Sequence, residues 1–287
     1  LYPIPARGTM IIIPSYADLH CHSTCSDGVS TPEELIALAA ERGLRGLSIT
    51  DHDTVAAYPG ALDIAERNGM KLLTGVEFST NFQGVNVHVL GYGFPMPNPL
   101  IEEYCQKHIS YREDRNAAIL ELLRKEGMPI ELHAEGDTVL GRTHIAIAMV
   151  ENGYVATTNE AFKRYIGDGR KCFVTLKASP VEKMIQVIRD AGGLAILAHP
   201  HLITPPKVAD LVMKKDFDGI EGYYASLTPE QEHYWVTKAE DRGLIVTGGS
   251  DYHSEELKPK NFLGSSWVGK ETFDILYNHF LKKMKEL

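Results

Sequence analysis

Tyr16-Ala17-Asp18-Leu19-His20-Cys21-His22 reads as a short β-strand whose alternation puts Asp18, His20 and His22 on one face and Cys21 on the other. A helix is expected just after it. Ser30-Thr31-Pro32-Glu33-Glu34 offers a capping hydroxyl, a proline for the first turn and carboxylates that complement the helix dipole. Leu35, Leu38 and Ala39 recur at helical spacing until Gly43 stops the helix. The pattern continues with strand 44–50, helix 56–68 and strands 71–78 and 85–92. It resumes later with helix 180–191, strand 194–198, helix 205–215, strand 219–222, helix 229–242, strand 244–247 and helix 271–285. Alternating strands and helices predict an α/β protein with a mostly parallel sheet, open or closed into a barrel. The proline-rich run 94–99 opens a segment of different character: 100–178 reads as largely helical, with a long charged helix over 100–126 and shorter pieces near 143–152 and 159–166. It is expected to be an insertion dividing the barrel into parts 14–99 and 179–287.

The chain has 287 residues and a net charge of −9, without a basic stripe, which disfavours duplex nucleic-acid binding by phosphate neutralisation. The basic run at 282–285 reads as the solvated last turn of a helix. No apolar run approaches the roughly 20 residues that span a bilayer; the one at 10–13 ends at Pro14 and lacks a signal-peptide pattern. Residues 1–9, ahead of Met10, enter no reading. Four cysteines are too few for a disulfide scaffold at this length, so a cytoplasmic setting is expected.

The twelve histidines carry the functional reading. His20 and His22 end the first strand, and Asp27 follows in the next loop. Asp51-His52-Asp53 ends the second strand and Glu77 the third. His88 lies within the fourth. His199 follows strand 194–198, and Asp251 and His253 follow Gly248-Gly249-Ser250. In βα architectures the C-terminal strand edge is where sites are built. One buried histidine is ordinarily a hydrogen-bonded core residue. Six histidines with three carboxylates on one edge would be very costly to desolvate without cations. Imidazole with carboxylate suits Zn, Mn or Fe, and the ligands exceed what one tetrahedral ion can use, so two or three ions are expected.

Asp18-Leu19-His20-Cys21-His22, Thr50-Asp51-His52-Asp53, Gly75-Val76-Glu77, Ala198-His199-Pro200 and Ser250-Asp251-Tyr252-His253 resemble the motifs of the PHP (polymerase and histidinol phosphatase) metal-dependent phosphoesterases over residues 15–270. The resemblance implies a distorted (β/α)7 TIM-like barrel with a trinuclear site. It implies that His20, His22, Glu77 and Asp251 hold a first metal, Glu77, His88 and His199 a second, and Asp27, His52 and His253 a third. Asp27 stands where many members carry a histidine, and this harder ligand favours Mn or Fe over Zn. The implied mechanism is attack by a metal-bridging hydroxide, with Glu77, Asp251 and His253 as catalytic residues. The helical insertion resembles that of the subgroup removing the 3′-phosphate of 3′,5′-nucleoside bisphosphates, some of whose members act on 5′ ends of short RNA. Histidinol phosphate is the alternative substrate within the family.

The insertion is expected to supply specificity. Arg112 and Arg115 share a helix face, Arg112 being equally readable as a solvated surface residue. Arg142 and His144 match an Arg-x-His element of that subgroup, at a helix start whose amides suit an anion. A second phosphate needs such a site away from the metals. Tyr223, Tyr224, Tyr234 and Trp235 are expected to pack the barrel, and His108, His133, His233 and His279 to lie on surface helices or loops. His201 stands close enough in sequence to approach the site. An amidohydrolase is the competing enzyme class, but it usually needs a metal-bridging lysine or equivalent, which no strand end offers. A non-catalytic metal module would favour a closed four-coordinate site.

Overall fold

The computed structural model describes residues 16–134 and 136–286; the run at 10–13 and Pro14 lie outside the described residues. In chain order the elements are β1 (Ala17–Cys21), α1 (Pro32–Glu41), β2 (Gly46–Ile49), α2 (Tyr58–Arg67), β3 (Lys71–Leu72), β4 (Gly75–Phe82), β5 (Val85–Tyr92) and α3 (Pro99–Lys125). Then come α4 (Arg142–Glu151), α5 (Thr158–Ala161), a π-helical turn (Phe162–Ile166), β6 (Ser179–Pro180), α6 (Val181–Asp190) and β7 (Leu194–Leu197). A 3-10 turn (Pro200–Leu202), α7 (Pro206–Val212), β8 (Gly219–Tyr224), α8 (Pro229–Glu240), β9 (Ile245–Gly249) and α9 (Lys270–Lys285) complete it. The expected cap of α1 forms: Thr31 Oγ1 accepts from the Glu34 amide, and the Glu34 carboxylate accepts from the Thr31 amide. No helix among the described residues is long and apolar enough to cross a membrane.

The strands form two sheets, β1-β2-β3 and β6-β4-β5-β7-β8-β9. Their edges meet through isolated bridges, His52 with Glu77 and Cys21 with Tyr252, but no continuous ladder of described strands closes a barrel. The sheet is parallel except at β5, which runs antiparallel to both β4 and β7. This departs from simple βα alternation, because Gln83 and Gly84 both take positive φ and turn β4 directly back into β5. The single strand expected at 71–78 is two strands in different sheets. The Tyr58 hydroxyl accepts from the Gly75 amide at the break, and a Cβ at Gly75 would meet Ser48 Oγ at 2.3 Å. Only glycine lets the chain cross there.

Residues 100–178 are mainly helical as expected, but they do not pack as a separate body. The first half of α3 buries Ile101, Tyr104 and Cys105 in the main core with Val76, Phe78 and Met184. Its second half buries Ile119 and Leu123 in a distinct cluster with Ile145 and Met149 of α4 and Ile166. One helix therefore ties the two cores together.

Candidate metal centre

The end of β1, the loops after β1, β2, β7 and β9 and the β4–β5 hairpin deliver nine side chains to one place. Glu77 is the third residue of β4 rather than its last, because the strand runs on into the hairpin, and His88 faces it from mid-β5. The backbone pairing between His52 and Glu77 sets the carboxylate beside the end of β2. Among the described residues only Asp53, Gln83, His199 and Asp251 are non-glycine with positive φ, and three of these lie at or against the site. Such backbone costs on the order of 1–3 kcal/mol per residue and concentrates where geometry serves function.

Glu77 is the hub. Its Oε1 is 2.7 Å from His88 Nδ1 and 2.8 Å from His199 Nε2. Its Oε2 lies 3.0 Å from His52 Nδ1, 3.2 Å from His22 Nε2 and 3.3 Å from His20 Nε2. Asp251 Oδ1 is 3.3 Å from His22 Nε2 and 3.6 Å from His20 Nε2. Asp27 Oδ1 is 3.3 Å from His253 Nε2 and 3.9 Å from both His22 Nδ1 and His52 Nε2. Three overlapping groups have their ligand atoms within 4.8 Å: His20, His22, Glu77 and Asp251; His22, Asp27, His52 and His253; and His52, Glu77 and His88. The first two contain two of the sets implied by resemblance. The third takes His52 where the resemblance implied His199, which meets Glu77 at Oε1, the oxygen that His88 also faces.

The donor set fits cations. His20 Nδ1 pairs with Glu221 Oε1 at 2.9 Å, which fixes the tautomer and turns the Nε2 lone pair on Glu77 and Asp251. His253 Nδ1 donates to the Asp251 carbonyl, which turns its Nε2 lone pair on Asp27. His20 Nε2, both His22 ring nitrogens, Asp27 Oδ1, His52 Nδ1, Glu77 Oε2 and His199 Nδ1 are buried without a hydrogen-bond partner among the described residues. Orphans of this kind are costly, and cations shared within the three groups would remove most of that cost. Without one, protons take its place. Burial opposes a charge on His20 and His22, but Glu221 and Glu77 raise His20 well above its ordinary value, and Asp251 and Glu77 lift His22 to about 9. His52 is pushed down to about 4 by burial, despite Glu77 and Asp27. The Glu77 and Asp27 carboxyls overcome burial and sit well below their usual range, held down by His52 and His88 and by His253 and His52 respectively.

Metal loading should therefore stabilise the fold measurably. Manganese at 100 times its Kd adds about 2.7 kcal/mol per site, or roughly 5–10 °C in a chain of this size. Scanning calorimetry with and without chelator checks this; an unchanged transition would mean that the cluster binds no ion.

Four supporting residues escape a motif search. Glu221 on β8 holds His20 Nδ1 and the His199 amide. Asp251 Oδ2 accepts from the Tyr224 hydroxyl at 2.6 Å and from Lys258 Nζ at 2.9 Å, leaving Oδ1 alone facing the histidines. His108, expected on a surface, is 1% exposed and bridges Asp53 to Ser179. Asp18 and Asp51 buttress loops instead of facing the cluster: Asp18 accepts from the Ser250 and Gly264 amides, and Asp51 from Ser23 and Ser26. Cys21 packs into the core as expected.

Beside the metal cluster lies a second, smaller cavity of about 120 Å³, lined by Arg112, Arg115 and Arg142 with Ser79, Asn86 and His88. The reading of Arg112 as a surface residue is wrong: it is 5% exposed, with Nε on Asp53 at 2.6 Å and a terminal nitrogen on Ser79 at 2.7 Å. Arg142 pairs with Asp168 and is flanked by the Phe162 and Phe173 rings. Arg115 is buried and, among the described residues, bonds only the neighbouring Asn116 amide oxygen; burial and the nearby Arg112 and Arg142 charges push it down to about 9. A buried guanidinium among guanidiniums has the chemistry to accept an anion. His144 lies outside this lining, its Nδ1 accepting from the Gly141 amide at the start of α4, while Thr143 donates to Asp27.

An α/β fold with a histidine–carboxylate cluster fit for several ions is the framework of a metal-dependent phosphoesterase, and comparison with known proteins agrees. The PHP domain pattern matches residues 18–165, and the chain belongs to the PHP family. It is 37% identical to the 5′-3′ exoribonuclease of Haemophilus influenzae over 246 residues, 82% of this chain and 89% of that protein. It is 30% identical to the 3′,5′-nucleoside bisphosphate phosphatase of Chromobacterium violaceum, over 83% of this chain and 87% of that one. A structure from Bifidobacterium adolescentis described as a metal-dependent phosphoesterase superposes with a TM-score of 0.83 at 29% identity, covering 92% and 96% of the two chains. The protein is a hydrolase of the phosphoesterase class.

Proposed function

We propose that the protein removes the 3′-phosphate of nucleoside 3′,5′-bisphosphates, leaving the 5′-monophosphate. The observation that carries this is Arg115, a buried guanidinium without a carboxylate partner in a cavity that shares Asp27, His52, His88 and Thr143 with the metal-centre cavity. Two anion-accepting ends side by side suit a substrate with two phosphates. Histidinol phosphate, with one, would leave the arginines unmatched. The 5′ end of an RNA carries the same pair, a 5′-phosphate and a 3′-linked phosphorus, so the Haemophilus relative's named activity would break the equivalent bond.

In this reading His20, His22, Asp27, His52, Glu77, His88, His199, Asp251 and His253 hold two or three ions, with manganese favoured by the aspartate at position 27. Bound ions would supply a water acidified towards neutrality and would neutralise phosphoryl charge. Arg112, Arg115 and Arg142 hold the 5′-phosphate and orient the nucleotide, and Lys258 Nζ adds a cation beside Asp251. The two sheets, joined by isolated bridges, make one distorted (β/α)7 barrel built from the parts 14–99 and 179–287, with β4 and β5 of the first part in the second sheet, and 100–178 caps it. A cytoplasmic setting follows from the sparse cysteines.

Phosphate release from adenosine 3′,5′-bisphosphate, histidinol phosphate and a short 5′-phosphorylated RNA tests the reading. Release of 3′-phosphate with 5′-AMP as product is expected, and inactivity on both nucleotide substrates by fully metal-loaded protein would refute it. Arg115→Ala should raise KM for the bisphosphate by about 10–100-fold, the worth of a charge-assisted hydrogen bond. KM for 3′-AMP should barely move; an equal rise for both would remove the 5′-phosphate role.

A further inference from the structure

The metal-centre cavity, about 520 Å³, is not charged all round. Besides Asp251, His253 and Lys258 its lining includes the apolar side chains of Phe162, Leu202 and Leu257, with Thr158 and Asn159. Leu202 is 53% exposed there, an apolar side chain left wet at the mouth of an ionic site. Phosphoryl transfer has no use for such a surface. Phe162 also lines the arginine cavity, so an aromatic ring stands at the junction of the two anion-accepting ends. Its placement is built: the π-helical turn Phe162–Ile166 carries the Phe162 carbonyl to the Gly167 amide, and the Arg142 guanidinium lies 5.8 Å from the ring centroid. Turns of this kind often mark functional positions in helices.

We propose that Phe162, with Leu202 and Leu257 of the same lining, forms a nucleobase subsite, so that the preferred substrates are nucleotides and not sugar phosphates. The proposal rests on the phosphatase reading above only for the presence of a phosphate. A planar base stacks on an aromatic side chain whatever its sequence identity, and the apolar wall shields its other side. Asn159, whose amide offers a donor and an acceptor, lines the same cavity.

Binding, not turnover, tests this. The Kd values of 5′-AMP and of ribose 5-phosphate are measured calorimetrically on manganese-loaded protein for wild type, Phe162→Ala, Phe162→Trp and Leu202→Ala. Wild type should bind 5′-AMP at least about tenfold more tightly than ribose 5-phosphate. Phe162→Ala should erase that preference and leave ribose 5-phosphate within about twofold, while Phe162→Trp keeps it. Leu202→Ala, at an exposed position with little bearing on folding, should weaken 5′-AMP about threefold and spare ribose 5-phosphate. Equal binding of the two ligands by wild type, or parallel losses for both in the variants, overturns the subsite. Turnover of the bisphosphate without a base preference would leave the phosphatase reading intact and remove this one; a base preference without turnover would do the reverse.

Discussion

Glu77→Gln is expected to lower phosphate release by about 1,000-fold or more and to leave at least one fewer ion bound per chain. Glu77 is fully buried and its two oxygens meet His20, His22, His52, His88 and His199, so it belongs to two of the three candidate ligand groups at once. The amide keeps the size but loses the charge that offsets neighbouring cations. Several kcal/mol of transition-state stabilisation from a metal site corresponds to that loss of rate. Metal analysis of the purified variant beside the phosphate assay checks it. Near-normal activity with full metal content would mean that Glu77 is not a bridging ligand.

The second large effect is on stability. Arg112→Met should cost about 3–5 kcal/mol, because it strands the Asp53 carboxylate in the interior. At this chain length that is roughly 10 °C in the melting temperature. Asp53 is fully buried and accepts from Arg112, His108 and the Ser79 amide. Burial works to raise its pKa, but Arg112 and His108 outweigh it and hold the carboxyl well below the usual range. A depressed folded-state pKa stabilises above the unfolded value near 4 and loses that contribution as pH falls. The gap between wild type and Arg112→Met should thus be full at neutral pH and shrink below about pH 4. A gap independent of pH in urea titrations would show that lost packing, not the charge, accounts for it.

The metal cluster was legible because ligands must sit at strand ends and alternate with core positions, and His20-Cys21-His22 shows both properties in three residues. Glu221 obeys the same logic, a carboxylate in an apolar strand beside the other strand ends, and a stricter search of that edge would find it. His108 and Arg112 left a fainter signal. They fall in the stripe Ile101, Tyr104, Cys105, His108, Arg112, Arg115, Asn116, Ile119 and Leu123, whose spacing of three and four marks one buried face of α3. Their polarity made them look solvated, whereas each is buried against a partner distant in sequence. Lys258 and Tyr224 converge on Asp251 only through loop and strand placement, for which sequence spacing offers no rule. Strand 85–92 is legible in its extent, but its reversed direction depends on the two-residue turn at Gln83-Gly84, which alternation does not reveal.

Because α3 is clamped in the main core at its start and in the second cluster at its end, Arg112 and Arg115 are carried on a rigid bar fixed at both ends. The separation between the ions and the guanidiniums then acts as a gauge. In the proposed reading that gauge sets how far apart two phosphates must stand to reach both ends, and it is held by a helix that contributes none of the nine candidate metal ligands.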